Sequence, residues 1–177
     1  NALLARVGAY YHDVGKIEQS EYFVENQTGE NKHNELNPRL STTIIKSHVK
    51  KGVEKATEMR LPKEVVDIIG EHHGNGLISF FYDKAKNMDE KVSKEEFSYP
   101  GTPPSSKESA VVMLADTVEA ACRTLKNPSP SRLKKFIHEL VMGKFTSHQL
   151  DNSELSFKDL SVIEDSFLQI LVGYYHT

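Results

Sequence analysis

The side chains in this sequence that are suited to binding a metal ion come from four separate stretches: His12, Asp13, His48, His72, His73 and Asp116. Neutral imidazole nitrogens and carboxylate oxygens are ligands that suit Mn, Fe, Zn, Co or Ni. An adjacent pair such as His12-Asp13 is useful because the carboxylate can bridge two ions while its neighbour binds one of them. The pattern therefore indicates a metal site assembled from distant parts of the chain.

Each of these residues, taken alone, also has a purely structural interpretation. His12 and His48 could be polar caps or hydrogen-bonded core histidines. The pair His72-His73 is harder to explain by packing, because adjacent helical positions lie about 100° apart and two buried rings need separate partners. Asp116 is hardest to explain, since the surrounding helix is apolar nearly all round and a buried carboxylate is rarely left unpaired.

The elements that must position these side chains are predicted to be helices. Apolar periodicity and capping residues predict helices over residues 2–12, 38–59, 62–73, 77–87, 107–126, 131–144 and 157–175. Strand patterns are nearly absent. Two segments rich in Gly, Pro and Asn, residues 15–38 and 88–106, are expected to be loops. The sequence therefore predicts one all-α domain over residues 1–177.

Composition and charge limit the possible functions. An apolar content of 38% with 27% charged residues is typical of one globular domain. The net charge of −3 argues against a long nucleic acid as partner. The single cysteine, Cys122, excludes an internal disulfide and a thiolate metal site and suits a reducing compartment. No apolar run approaches the roughly 18 residues of a membrane helix, and no segment resembles a signal peptide.

The order of the motifs resembles that of the HD superfamily of metal-dependent phosphohydrolases. The segments that carry this resemblance are His12-Asp13-Val14-Gly15-Lys16, His48, His72-His73 and Leu114-Ala115-Asp116. Further segments are similar to one branch, the PgpH-type cyclic di-AMP phosphodiesterases: Glu25-Asn26-Gln27, Asn37-Pro38, residues 48–54, Tyr99-Pro100-Gly101 and residues 117–121. Where the related HD-GYP enzymes have a Gly-Tyr-Pro turn, this chain has Gly74-Asn75-Gly76-Leu77, which argues against a cyclic di-GMP enzyme of that branch.

The resemblance implies an HD-domain helical bundle with two divalent transition-metal ions, Fe or Mn, in its interior. One ion would be bound by Asp13, His48, His72 and His73. The other would be bound by His12, Asp13, Asp116 and a further histidine on an upstream helix that the sequence does not contain. In this scheme Asp13 bridges both ions, and a metal-activated hydroxide attacks the phosphorus.

Three cationic residues are candidates for contacting the phosphate. Lys16, next to the His-Asp pair, is predicted either to neutralise phosphate charge or to orient a ligating carboxylate, so that Asp13 and Lys16 are the predicted catalytic residues. Lys51 and Arg123 are weaker candidates for substrate binding. For Arg123 the competing interpretation is a surface residue that stabilises the C-terminal end of its helix.

The implied function is hydrolysis of cyclic di-AMP to the linear dinucleotide pApA. Two alternatives stay open from the residues alone: an HD phosphohydrolase acting on a dNTP, a nucleoside monophosphate or (p)ppGpp, and a non-catalytic nucleotide-binding sensor. The resemblance also implies a membrane-anchored parent protein with this domain on the cytoplasmic side of the plasma membrane. The chain begins without Met inside an apolar-periodic stretch, so we expect it to be part of a larger protein and to lack its N-terminal helix.

Overall fold

In the computed structural model, which describes residues 1–27, 30–88 and 91–175, the fold is all-α. The helices are α1 (Ala2–Tyr11), α2 (Pro38–Glu58), α3 (Lys63–Glu71), α4 (Ser79–Lys86), α5 (Lys107–Cys122), α6 (Pro130–Thr146) and α7 (Phe157–Tyr175). The β structure in the described residues is one isolated bridge between Leu77 and Ser98. None of the helices there is long and apolar enough to cross a membrane. The predicted all-α class is confirmed.

The segment 15–38, expected to be a loop, is more ordered than its composition indicates. It contains the 3-10 helices Val14–Tyr22, Val24–Asn26 and Lys32–Asn34, although Thr28 and Gly29 of its predicted turn lie outside the described residues. The first of these helices packs directly on α2. At Gly15 an added Cβ would lie 1.9 Å from the His48 carbonyl oxygen, so only glycine allows the two backbones to meet. Packing, rather than periodicity, orders this segment.

The helix that carries the paired histidines ends earlier than predicted. It was expected to run through residue 73, but α3 ends at Glu71, His72 is its C-terminal cap, and His73 lies in the following turn. Gly74 adopts a left-handed conformation with φ of 54°, which glycine tolerates better than other residues. Because the chain leaves the helix here, the imidazoles of His72 and His73 need not point 100° apart as they would in a continuous helix. Their ring centroids are 4.1 Å apart, so both rings lie on the same side of the chain.

The core contains two apolar clusters that are joined by α5. The largest cluster is formed by α5, α6 and α7 and includes the buried residues Met113, Leu114, Ile137, Val141 and Leu160. A second cluster lies between α1, α2 and α3 and includes Ala56, Val65 and Ile69. Since α5 also contacts α1 and α3, it links the two halves. The candidate metal ligands lie along this junction.

Candidate metal centre

The structure brings the six predicted metal ligands together. They come from the end of α1, the middle of α2, the end of α3 and the middle of α5. They form two groups of three, His48 with His72 and His73, and His12 with Asp13 and Asp116. Within each group the atoms able to bind an ion all lie within 4.8 Å of one another. Four elements that are distant in sequence thus contribute to one compact cluster.

Asp13 lies between the two groups. Its Oδ2 atom is 3.2 Å from His12 Nε2, while its Oδ1 atom is 3.4 Å from His48 Nε2 and 3.7 Å from His72 Nε2. One carboxylate therefore reaches both groups, which is the arrangement that a bridging ligand requires. Asp116 makes a second link, with Oδ1 3.5 Å from His12 Nε2 and Oδ2 3.8 Å from His73 Nδ1.

Backbone carbonyl groups fix the orientation of three of the histidines. The Nδ1 atoms of His12, His48 and His72 lie 2.7, 2.5 and 2.7 Å from the carbonyl oxygen three residues earlier in the chain. A carbonyl oxygen only accepts hydrogen bonds, so each Nδ1 carries a proton, and Nε2 keeps its lone pair whenever the ring is neutral. Metal-binding histidines commonly donate their second ring nitrogen in this way. His48 and His72 thereby offer Nε2 as a ligand, and His12 does so once its Nε2 proton is lost.

The arrangement of His48 and His72 fits a bound cation. Burial lowers the pKa of both imidazoles, that of His72 to about 4, so both rings are neutral near pH 7. Their Nε2 lone pairs face each other at 3.2 Å. Nitrogen ligands at about 2.0–2.1 Å from a shared ion lie roughly 3 Å apart. In addition, Asp13 Oδ1 and His12 Nε2 are buried and have no hydrogen-bond partner among the residues that the structure describes. The residues present therefore fit divalent metal ions.

The second group has a different electrostatic character. Burial alone would lower the pKa of His12, but the Asp116 and Asp13 carboxylates outweigh it and raise the pKa to about 10. Burial likewise opposes ionisation of Asp13, yet His12 and Lys16 hold the pKa of this carboxyl well below its usual range. Without an ion, this group is a protonated histidine between two carboxylates. A divalent cation would replace the His12 proton.

Lys16 is placed to hold the Asp13 carboxylate. Its Nζ atom lies 2.6 Å from Asp13 Oδ2 and 2.6 Å from Glu25 Oε1, and it also lies 4.8 Å from the centre of the Phe23 ring. Burial would lower the pKa of Lys16, but Asp13 and Glu25 outweigh it and raise that pKa. Of the two roles predicted for Lys16, this geometry supports the orientation of a carboxylate. Sequence patterns gave no reason to select Glu25 as its second partner.

The other two predicted phosphate contacts lie outside the cluster. Lys51 Nζ donates to Gln19 Oε1 at 2.8 Å and lies 4.0 Å from Glu18, so it faces the 3-10 helix Val14–Tyr22. Arg123 Nε lies 2.6 Å from Glu119 Oε1, and its side chain is 53% exposed. Both residues stay predictions as substrate contacts.

Tyr99 is a part of the site to which sequence analysis assigned no role. Its ring stacks on that of His73 with the centroids 4.3 Å apart and an interplanar angle of 19°. Its backbone N–H donates to the carbonyl oxygen of Gly76 at 2.9 Å, which ties it to the turn after His73. Burial raises the pKa of the Tyr99 hydroxyl, so the hydroxyl stays protonated near pH 7. The feature of the sequence that could have indicated Tyr99 is its position directly before Pro100-Gly101.

Comparisons with known proteins agree with this geometry. A family model described as HD domain matches residues 1–121, a range that includes all six candidate ligands. The chain is 44% identical over 178 residues to the cyclic-di-AMP phosphodiesterase PgpH of Bacillus subtilis (strain 168). It is 37% identical over 177 residues to the PgpH protein of Listeria monocytogenes serotype 1/2a (strain 10403S). These matches cover 100% and 99% of this chain, but the chain spans only 25% of each relative.

A solved structure shares the fold over nearly the whole chain. It is the crystal structure of the HD domain of L. monocytogenes phosphodiesterase PgpH in complex with cyclic-di-AMP. The two chains are 37% identical, with a TM-score of 0.95, and the match covers 99% of this chain and 82% of the other.

Proposed function

This chain belongs to the HD-domain family, and from that premise we propose that it is the catalytic domain of a metal-dependent phosphodiesterase that hydrolyses cyclic di-AMP to pApA. The position of Asp13 between the two groups of candidate ligands carries the proposal, because one bridging carboxylate suits a pair of ions. The choice of substrate rests on similarity to relatives described as cyclic-di-AMP phosphodiesterases. The solved HD domain in complex with that nucleotide supports the same choice.

The ligand set favours transition metals over Mg²⁺. Four imidazoles and two carboxylates offer more nitrogen than oxygen, whereas Mg²⁺ prefers oxygen ligands and retains water. We therefore propose Fe or Mn as the native ions, with His48, His72, His73 and Asp13 holding one. His12, Asp13 and Asp116 hold the other. When bound, a pair of such ions lowers the pKa of water and withdraws charge from phosphoryl oxygens.

Lys16 is then a positioning residue for Asp13. Its 2.6 Å ion pair fixes the carboxylate between the two groups, while Glu25 holds the ammonium from the other side. Tyr99 covers one face of His73 and restricts the movement of that ring. The chain itself thus supplies a rigid cluster whose ligands need little rearrangement on binding ions.

The proposal includes the location of the domain. We propose that it is the cytoplasmic part of a membrane-anchored protein, as in the PgpH-type family that its motifs resemble. The chain spans a quarter of the curated relatives it matches, which supports a larger parent protein. The buried, unpaired thiol of Cys122 suits a reducing compartment.

A substrate panel tests the proposed function. The manganese-loaded protein is incubated with cyclic di-AMP, cyclic di-GMP, a dNTP, a nucleoside monophosphate and ppGpp, and the products are separated by chromatography. We expect pApA from cyclic di-AMP with a kcat/KM at least about tenfold above that for cyclic di-GMP, a preference of about 1.4 kcal/mol. Faster turnover of a dNTP, a monophosphate or ppGpp would show that this compound, and not cyclic di-AMP, is the preferred substrate. Binding without turnover would indicate a sensor.

The control for this assay is a pair of histidine variants. His72→Gln removes a candidate ligand and should abolish turnover. His138→Gln changes an exposed histidine of α6 that contacts Glu164, and it should leave turnover unchanged. Equal activity of the two variants would refute a role for the metal cluster.

A further inference from the structure

Lys144 is a cation near the metal centre that pairs with no carboxylate of the residues that the structure describes. It lies in the last turn of α6. Its Nζ atom is 3.8 Å from the position that a Cβ on Gly76 would occupy, so the ammonium lies against the turn that follows His73. Among the described residues, Nζ forms neither an ion pair nor a hydrogen bond. Burial lowers the pKa of Lys144, whereas the more distant Asp116 carboxylate opposes this shift.

The ammonium borders a cavity that is lined by sequence neighbours of the metal-centre residues. The cavity has a volume of about 500 Å³, and its lining includes Gly76, Ser98, Thr117 and Lys144. Each of the first three is connected to the site: Thr117 follows Asp116, Ser98 precedes Tyr99, and the Gly76 N–H donates to the His73 carbonyl oxygen at 3.1 Å. Because these lining residues adjoin residues of the metal centre, the cavity lies near that centre, although its lining includes none of the six candidate ligands.

A role in capping the end of α6 does not account for this lysine. An interaction with the helix dipole does not require burial of the lysine, because an exposed side chain makes it as well. Lys135, near the start of the same helix, is an ordinary surface lysine, with an 80% exposed side chain whose Nζ lies 3.8 Å from Glu139. Glu139 also lines the cavity, but it is exposed and lies near Lys135. A half-buried ammonium without a partner is costly unless an anion compensates it.

We propose that this cavity is a second phosphate subsite, in which Lys144 binds the phosphodiester of a cyclic dinucleotide that is not being cleaved. The inference rests on the proposed function. Cyclic di-AMP carries two phosphodiesters, so when one lies at the metal centre the other still carries a negative charge. Lys16 is already held by Asp13 and Glu25, whereas Lys144 pairs with none of the carboxylates in the described part of the chain. The subsite therefore favours ligands with two phosphates over ligands with one.

Equilibrium binding to the manganese-loaded protein tests the subsite. Two ligands that resist cleavage are compared by calorimetry: the bis-phosphorothioate analogue of cyclic di-AMP and the single phosphorothioate analogue of linear ApA. Lys144→Gln should weaken binding of the first about tenfold, because a charge-assisted hydrogen bond is lost. It should weaken binding of the second less than about threefold, and Lys144→Arg should restore most of the affinity for the first. The matched control, Lys134→Gln on the exposed face of the same helix, should change neither affinity.

The outcomes separate this inference from the proposed function. Equal weakening of both ligands by Lys144→Gln, or no weakening of either, would overturn the second subsite even if cyclic di-AMP is hydrolysed. Selective weakening of the two-phosphate ligand in a protein that does not hydrolyse cyclic di-AMP would support the subsite and refute the activity. If the unaltered protein binds neither analogue, the subsite is refuted directly.

Discussion

His48 and His72 face each other through their Nε2 atoms at 3.2 Å, and each ring is held there by a hydrogen bond from Nδ1 to the backbone. Both rings are neutral near pH 7, so neither supplies a proton to share between the two nitrogens. The folded chain thus maintains two opposed lone pairs in its interior. A cation bound by both rings would remove this repulsion, so metal binding would stabilise the pairing of α2 with α3.

This coupling predicts a metal-dependent stability. A ligand that binds only the folded state stabilises it by about 2.7 kcal/mol when present at 100 times its Kd. We expect Mn²⁺ at such an excess to raise the free energy of unfolding by about this amount in urea titrations. His72→Gln should lose most of the increase, whereas His138→Gln, in an exposed pair with Glu164, should retain it. A gain that persists in His72→Gln would show that the ion binds elsewhere.

Asp13 and Lys16 should differ in their effects on metal content and turnover. Asp13→Asn removes the charge that both candidate groups share, so the protein should lose its metal and its activity together. Lys16→Gln removes only the ion pair that orients Asp13, so turnover should slow while the metal is retained. Elemental analysis of each purified variant, with the rate measured on the same sample, checks this. Equal metal loss in both variants would contradict the positioning role of Lys16.

Proton release should distinguish the two groups of ligands. At pH 7 His12 is protonated, since its pKa is raised to about 10, and it must lose that proton to bind an ion. His48 and His72 are already neutral, because their pKa values are lowered. Occupation of the group with His12 should therefore release about one proton, and occupation of the other group close to none. As pH falls, proton competition should weaken binding at the His12 group first.

Calorimetric titration of manganese in buffers with different ionisation enthalpies measures this release. We expect the nitrogen-rich group of His48, His72 and His73 to bind the first equivalent of manganese, with a heat that does not depend on the buffer. The heat of binding the second equivalent should depend on the buffer. Two equivalents of equal affinity with equal proton release would contradict the assigned difference between the groups.

Gly15→Ala should destabilise the protein. An added Cβ would lie 1.9 Å from the carbonyl oxygen of His48 and 2.5 Å from the backbone nitrogen of Gly52, and neither backbone atom can rotate away. The 3-10 helix that contains Gly15 must therefore move away from α2, at a cost of about 1–3 kcal/mol for overpacking. Because this movement also displaces Asp13 from His48, metal affinity should fall. Gly143→Ala in α6, where an added Cβ meets no atom within 4 Å, is the control.

The sequence predicted the candidate metal ligands, which the structure brings together, but not their surroundings. Asp116 could be selected because a carboxylate in an apolar helix needs a partner, and it lies 3.5 Å from His12. The turn at His73 was missed because the left-handed conformation of Gly74 ends α3 before the apolar pattern indicates. The partners of Lys51 depend on where a non-periodic 3-10 helix packs. No sequence pattern indicated a role for Lys144, because its environment is created by tertiary contacts.

The most direct test of a metal-dependent phosphodiesterase is to follow metal binding and cyclic di-AMP hydrolysis in the same titration. Metal-stripped protein should be inactive, and pApA formation should rise as manganese is added and level off when both groups of ligands are filled. The His72→Gln protein, titrated in parallel, should stay inactive throughout. Hydrolysis by the stripped protein at the rate of the loaded one, or full metal binding without any hydrolysis, would contradict the account.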